Sequence, residues 1–343
     1  MNAIARVRLI DALHIAALRA ASDIHLVPGL ETALRVDGRL EYLRGTPLSS
    51  DDIESIGDEL LGADAIARIR AGEDVSGAWS DENARALRVH GYRSCDGLSL
   101  ALRLLGADVP SLESLHLPPI VAALADRTRG LIIVAGPTGS GKSTSLAALV
   151  DRINETSARR VITIEDPIEY RHASKRSAIV QREVGRDATS FASAIIGALR
   201  ADPDVLLVGE MRDRSTMEAA LTAAETGHLV LTTLHSGDAA GSVDRVVDAF
   251  SGSEQAQIRS QLSQVLCAIV CQRLVPRANG EGRRAVVEVL LATDAIRAIV
   301  RDGRTHQLRN AISTSRQAGM QTHEQHFAEL VRRGEVEPEA SSV

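Results

Sequence analysis

The stretch that most constrains this chain is G-P-T-G-S-G-K-S-T at residues 136–144, set directly after the apolar run L-I-I-V-A at 131–135. It satisfies G-x-x-x-x-G-K-[ST], and a strand before it with a helix after it is the setting in which that pattern binds phosphate. Gly136, Gly139 and Gly141 let backbone N–H groups curl around phosphate oxygens, with Pro137, Thr138 and Ser140 completing the wrap. The helix that follows turns its positive end toward the same oxygens. Lys142 offers a compact charge to the β and γ phosphates, Ser143 can ligate magnesium, and Thr144 closes the motif. Lysine is otherwise nearly absent: of 39 basic residues only Lys142 and Lys175 are lysines. One of the two stands where the motif demands it. The chain is therefore expected to bind a nucleotide.

A loop of this kind needs an α/β setting, and the sequence around it supplies one. V-I-T-I (161–164), V-L-L-V (205–208) and L-V-L-T-T-L (229–234) are short apolar runs between helical stretches. That alternation argues for a mostly parallel sheet covered on both faces. From about Ser253 the helical signal dominates, with one strand near A-V-V-E-V-L-L, and Cys267 and Cys271 read as small core residues four apart on a helix. Ahead of this, residues 1–105 mix helix and strand signals: an amphipathic helix over 9–21, strands S-D-I-H-L and A-L-R-V-D-G-R-L-E-Y-L joined at Asp37-Gly38, a helix from Ser50 to about Arg70, and a pair of strands between Asp74 and Leu105. Residues 106–119 hold three of the ten prolines and read as a linker, which assigns 120–343 to the nucleotide domain.

Composition narrows the class. A net charge of -6 and seven aromatics disfavour a nucleic-acid binder, which needs a basic patch or stacking platforms. No run approaches the ~18 apolar residues of a membrane span, and no signal-peptide pattern opens the chain, so a cytoplasmic location is expected. Three cysteines are too few for a disulfide framework or a four-thiolate zinc site.

Hydrolysis needs acidic groups near the phosphates, and three segments place them at strand ends, where such sheets bind ligands. V-I-T-I-E-D-P-I-E (161–169) brings Glu165 and Asp166, L-R-A-D-P-D-V-L-L-V-G-E-M-R-D (199–213) brings Glu210, and T-A-A-E-T-G-H-L-V-L-T-T-L-H (222–235) brings His228 and His235. The aspartate that often holds magnesium on the second of these strands is replaced by Gly209, with Glu210 next. Glu165 is expected to orient the attacking water, and Glu210 to hold the magnesium shell with Ser143 and Asp166. Residue types alone leave the reverse assignment of the two glutamates open. His235 can reach a γ-phosphate from its strand end; for His228 a site role and a structural one weigh equally.

Taken together, these blocks resemble the secretion ATPase superfamily of type II secretion and type IV pili, and within it the PilT-like pilus-retraction ATPases. A-S-D-I-H-L (21–26), R-V-D-G (35–38), A-I-R-A-I-V-R (295–301) and G-M-Q-T (319–322) extend the likeness from about Leu9 to Gly334. The assembly ATPases' long extra N-terminal region and four-cysteine insertion are both missing. The resemblance implies an N-terminal PAS-like α+β domain and a RecA-like ATPase domain with C-terminal helices. It also implies ATP and Mg2+ as cofactors, a homohexamer, and an inner-membrane pilus platform protein as partner at the cytoplasmic base of the machine. By the same resemblance Arg88 and Arg103 reach the nucleotide from the N-terminal domain. A third arginine of that clamp is replaced by Asp96, and Ala298 and Val300 depart from the retraction element. A nucleotide-binding regulatory paralogue in mixed hexamers and a secretion or assembly ATPase are the alternatives. Residues 335–343 lie outside the resemblance and are expected to fray.

Overall fold

A computed structural model describes residues 3–342 apart from 20, 37, 81–85, 105–108 and 281. The fold is mixed α/β, and the chain divides into two compact units, Met1–Asp108 and Val109–Val343. Asp37 of the expected turn, and residues 106–108 of the expected linker, lie outside the described residues.

The N-terminal unit opens with helix α1 (Ala3–Leu18), then strands β1 (Asp23–Leu26), β2 (Ala33–Val36) and β3 (Arg39–Tyr42), helices α2 (Ser50–Leu61) and α3 (Ala63–Arg70), and strands β4 (Val75–Ser80), β5 (Ala86–Ser94) and β6 (Gly97–Leu104). The six strands form an antiparallel sheet in the order β3-β2-β1-β6-β5-β4. Ile24, Leu34, Ile53, Ile56, Val89, Leu100 and Leu102 are buried in its core. The helix expected from Ser50 to Arg70 is two helices. Gly62 between them has φ +89, a backbone that continues no α-helix and that residues with a Cβ avoid. A capping box of Ser49 with Asp52 starts the first of them. Three strands, not the expected pair, fill the segment from Asp74 to Leu105.

The C-terminal unit runs α4 (Pro119–Ala123), β7 (Gly130–Ala135), α5 (Lys142–Thr156), β8 (Arg160–Glu165), β9 (Ala178–Glu183), α6 (Phe191–Ala198), β10 (Val205–Val208), α7 (Arg214–Glu225), β11 (Leu229–Leu234), α8 (Ala239–Asp248) and α9 (Gln255–Val265). It ends with β12 (Leu266–Pro276), β13 (Arg283–Leu291), α10 (Asp294–Arg301), α11 (Leu308–Thr314) and α12 (His323–Arg332). The sheet order is β13-β12-β7-β11-β10-β8-β9, parallel throughout except for β13 against β12. Every residue of β7, β10 and β11 is buried, as the apolar runs require when both faces are covered. One face packs against α6, α7 and α9, and the other against α4 and α5.

Two sequence expectations fail here. Cys267 and Cys271 lie on strand β12, not on a helix, and Cys271 is fully buried. Because β12 is covered on both faces, its apolar residues do not alternate, and periodicity cannot separate it from a helix. The segment after Gly334 does not fray. Val336 is buried with Val275, Val286 and Leu330, Glu335 pairs with Arg284 at 2.7 Å, and a 3-10 turn covers Pro338–Ser342.

Candidate functional site

The site grows from the carboxyl end of β7, where the chain leaves the sheet and re-enters a helix at Lys142. Gly136 has φ +149, and a Cβ there would lie 2.2 Å from the Gln272 carbonyl oxygen and 2.5 Å from Ser140 Oγ. No other residue fits. Gly141 caps α5 in the left-handed region at φ +86. The loop so formed closes on Lys142, whose Nζ donates to the carbonyls of Gly136 and Pro137, both at 2.9 Å. Lys142 is 8% exposed; burial lowers its pKa, and the carboxylates of Glu210 and Glu169 oppose that shift. Thr138 and Gly139 are exposed at the loop's rim, Ser140 is buried beneath it, and Ser143 is exposed in the first turn of α5. Thr144 Oγ1 meets the Tyr170 hydroxyl at 2.9 Å.

Neighbouring strand ends deliver the acidic groups. Glu165 ends β8, and its Oε1 accepts from Thr163 Oγ1 at 2.6 Å and from Gln181 Nε2 at 3.2 Å. Burial raises its pKa above the ordinary carboxylate range, and these two donors only partly offset that. Gln181 also donates to the Tyr170 carbonyl at 2.8 Å, so hydrogen bonds connect Glu165 through Gln181 to the segment that meets α5. Asp166 is exposed next to Glu165.

Glu210 follows β10 and is mostly buried. Its carboxylate meets Arg212 Nε at 2.6 Å and His235 Nε2 at 3.7 Å. His235 directly follows β11, and burial first, then the Lys142 cation, lower its pKa, so the neutral imidazole is favoured. Lys142, Glu210 and His235 therefore share one field. Gly209 bonds into both neighbouring strands, donating to Ile164 at 2.8 Å and accepting from Thr233 Oγ1 at 2.6 Å. A Cβ at Gly209 would press on the Ile164 carbonyl at 3.3 Å and Glu165 Cα at 3.4 Å, a reason for the acidic residue to stand one place later.

No group of three or more His, Cys, Asp or Glu is poised for a metal among the described residues. Magnesium takes few protein ligands and fills its octahedron with phosphate oxygens and water, so the exposed Ser143 hydroxyl and the Glu210 carboxylate fit its chemistry.

Arg88 and Arg103 lie in the N-terminal unit, where they are register partners on β5 and β6. Arg103 Nε donates to Asp23 Oδ1 at 2.9 Å. Asp96 is exposed at the tip of the β5–β6 hairpin beside Cys95. His228 is structural, its Nδ1 lying 3.0 Å from the Ala223 carbonyl at the end of α7. Sequence reading missed Thr163, Tyr170, Gln181 and Gln272. Only Gln272 left a trace, as a lone amide inside the apolar run A-I-V-C-Q.

The profile of the type II/IV secretion system protein family matches residues 81–339. The chain belongs to this family. The match to the secretion family takes in β5 and β6 with both arginines, the whole nucleotide loop, and the packed C-terminal segment as far as Glu339. Among its relatives, a twitching motility protein of Neisseria gonorrhoeae is 41% identical over 308 residues, covering 90% of this chain and 82% of that one. The type IV pilus retraction ATPase PilT of Pseudomonas aeruginosa is 39% identical over 324 residues, 94% of each chain. A crystal structure of the pilus retraction motor PilT with bound ADP superposes with a TM-score of 0.89 at 39% identity, covering 96% of this chain and 94% of that one. The chain is thus a PilT-like member of the secretion family.

Proposed function

We propose that the chain is a Mg-dependent ATPase that works as a hexamer and powers type IV pilus retraction, and with it twitching motility, or a related secretion machine. The observation that carries this reading is the loop closed on Lys142 with Glu210 and His235 in its field. In this reading the loop amides and Lys142 hold the β and γ phosphates, and His235 senses the γ-phosphate. Glu165 takes a proton from, and aims, the attacking water; its raised pKa makes it a stronger base than an ordinary carboxylate. Ser143, Glu210 and Asp166 would hold the magnesium shell. The chemistry they would bring to the site is charge neutralisation at the phosphates. Arg88 and Arg103 complete the site when the N-terminal unit, read as PAS-like, closes on the RecA-like one. Turnover converts to movement because each cleft state binds ATP, ADP or nothing with a different strength. The partner is an inner-membrane platform protein at the cytoplasmic base of the machine.

A second reading rests on Asp96, a carboxylate where the resemblance expects an arginine: a regulatory paralogue that binds ATP within mixed hexamers and turns it over slowly. Phosphate release by the purified protein, with Lys142→Ala as the blank, separates the two. Magnesium-dependent release that vanishes in the blank supports the motor. ATP binding without release supports the regulator.

A further inference from the structure

Gln272 sits in the middle of β12, 2% exposed, directly after the buried apolar run Ala268–Cys271. A buried amide is costly unless its polar atoms are paired. Here both ends are used, one on the nucleotide loop and the other on the helix that follows it. Nε2 donates to the Ser140 carbonyl at 2.5 Å, and Oε1 accepts from the Ser145 hydroxyl at 3.0 Å. The amide's orientation follows from its partners, since a carbonyl oxygen can only accept. Gln272 also underlies the loop at its two ends. A Cβ on Gly136 would strike its carbonyl oxygen at 2.2 Å, and one on Gly141 would come within 3.0 Å of Nε2.

We propose that Gln272 is a positioning residue for the phosphate loop, one that no sequence motif of the loop contains. The C=O and N–H of a trans peptide point in opposite directions. Drawing the Ser140 carbonyl toward β12 therefore turns the Gly141 N–H away from the strand, to the side from which a phosphate approaches. The Ser145 hydroxyl holds the amide in place from the first turns of α5, so loop and helix start are set by one side chain. Without it the Ser140–Gly141 peptide is free to rotate, and the cradle must be ordered at the expense of nucleotide affinity. The inference rests on the nucleotide-site reading above.

Two near-isosteric variants test it. Gln272→Met keeps the length and makes neither bond; Gln272→Glu keeps the acceptor and loses the donor. Four quantities are measured: the ATP dissociation constant, KM and kcat for phosphate release, and hydrogen exchange of the 136–144 segment without nucleotide. Because the loop grips phosphate in ground and transition states alike, dissociation constant and KM should rise about tenfold in both variants while kcat falls less than about threefold. Exchange of the loop should quicken. Should Gln272→Glu not fold, Ser145→Ala replaces it, with an expected rise in dissociation constant of about two- to threefold from the loss of one neutral hydrogen bond. A folded Gln272→Met with wild-type ATP affinity and wild-type loop exchange overturns the proposal. If the wild type binds no ATP, the nucleotide reading fails instead, and loop exchange in Gln272→Met still decides whether Gln272 sets the loop.

Discussion

Arg103 donates its Nε–H to Asp23 at 2.9 Å across the ladder in which the two residues are direct register partners, and Arg88 flanks Arg103 from the other side. Asp23 is largely buried, its side chain 13% exposed, whereas that of Arg103 is 61% exposed. The carboxylate anchors one edge of the guanidinium and leaves the rest of it in solvent.

That asymmetry separates function from stability. Removing Arg103 leaves the largely buried Asp23 carboxylate with the Ser22 hydroxyl as its remaining side-chain donor, so Arg103→Ala should destabilise the fold by about 1–3 kcal/mol. An arginine that meets the γ-phosphate contributes about 10³-fold to turnover. Arg103→Ala should therefore lose most phosphate release while ATP affinity changes far less, and Asp96→Arg should raise activity. Unchanged turnover in Arg103→Ala would mean that Arg103 does not meet the γ-phosphate.

Lys142 closes the loop on its own carbonyls, and in the proposed mechanism it also compensates phosphate charge. Lys142→Ala removes both and should lower turnover by at least about 10²-fold. Lys142→Arg should fail nearly as badly, because a planar fork cannot occupy the space in which an ammonium meets two carbonyls at 2.9 Å. Normal turnover in the arginine variant sinks the argument drawn from lysine scarcity.

The two glutamates are told apart by pH and by magnesium. Glu165 has its pKa raised by burial, so it is protonated, and idle as a base, up to a higher pH than an ordinary carboxylate. Turnover should thus fall on acidification before the usual carboxylate range is reached, and Glu165→Gln should bind ATP without hydrolysing it. The raised value also means that ionised Glu165 opposes folding, a cost present above its folded-state pKa and absent below the unfolded one. Glu165→Gln should accordingly melt no lower than wild type at neutral pH. Glu210→Gln should weaken the magnesium dependence. Wild-type hydrolysis by Glu165→Gln, with ATP trapped by Glu210→Gln, reverses the roles.

His326 tests the C-terminal packing independently of catalysis. Its Nδ1 accepts the Val287 N–H at 2.9 Å, and burial, reinforced by the Arg284 cation, pushes its pKa down to about 4. A histidine that resists protonation when folded supports stability fully above its unfolded pKa of ~6.5 and loses that support as pH falls toward 4. His326→Asn, which keeps an acceptor that does not titrate, should flatten the decline in unfolding free energy between those limits. An identical slope in both proteins would falsify this assignment.

Truncation after Gly334 probes the same region. It removes Glu335 from Arg284, whose side chain is 6% exposed, and takes Val336 out of its apolar cluster. Leaving a buried cation without its partner costs about 3 kcal/mol. For a domain of this size that lowers the melting temperature by about 6–12 °C. A truncated protein that melts with the full chain would return the segment to the status of a loose end.

What the sequence could reveal depended on whether the signal was contiguous. Residues 136–144 carry motif, strand and helix start within a few positions, and Glu165, Glu210 and His235 each follow an apolar run that reads as a strand. Tyr170 and Gln181 touch the site only through folding, from positions that no local pattern marks, and Gln272 left no more trace than one amide after an apolar run. Strand β12 hid because burial on both faces erases the alternation that betrays a strand. The segment after Gly334 hid for the opposite reason. Glu335, Glu337, Pro338 and Glu339 look like solvent-loving chain, while Val336, Ala340, the Arg284–Glu335 ion pair and the Ala278 N–H bonded to the Glu335 carbonyl hold it down.

The place of β12 in the sheet has a consequence for biosynthesis. Strand β7, which ends in the phosphate loop, is flanked by β11 and β12, and its pairing with β12 joins Leu131 to Leu266 and Ala135 to Cys271. As the ribosome delivers the chain from its N-terminus, β7 emerges early and waits with one edge unpaired until residues beyond Pro276 have cleared the exit tunnel. Pairings this distant in sequence form slowly, and an open strand edge invites association with other chains. A nascent chain stalled before Leu266 thus holds every residue of the phosphate-loop motif and lacks the strand, and the amide, on which the loop rests.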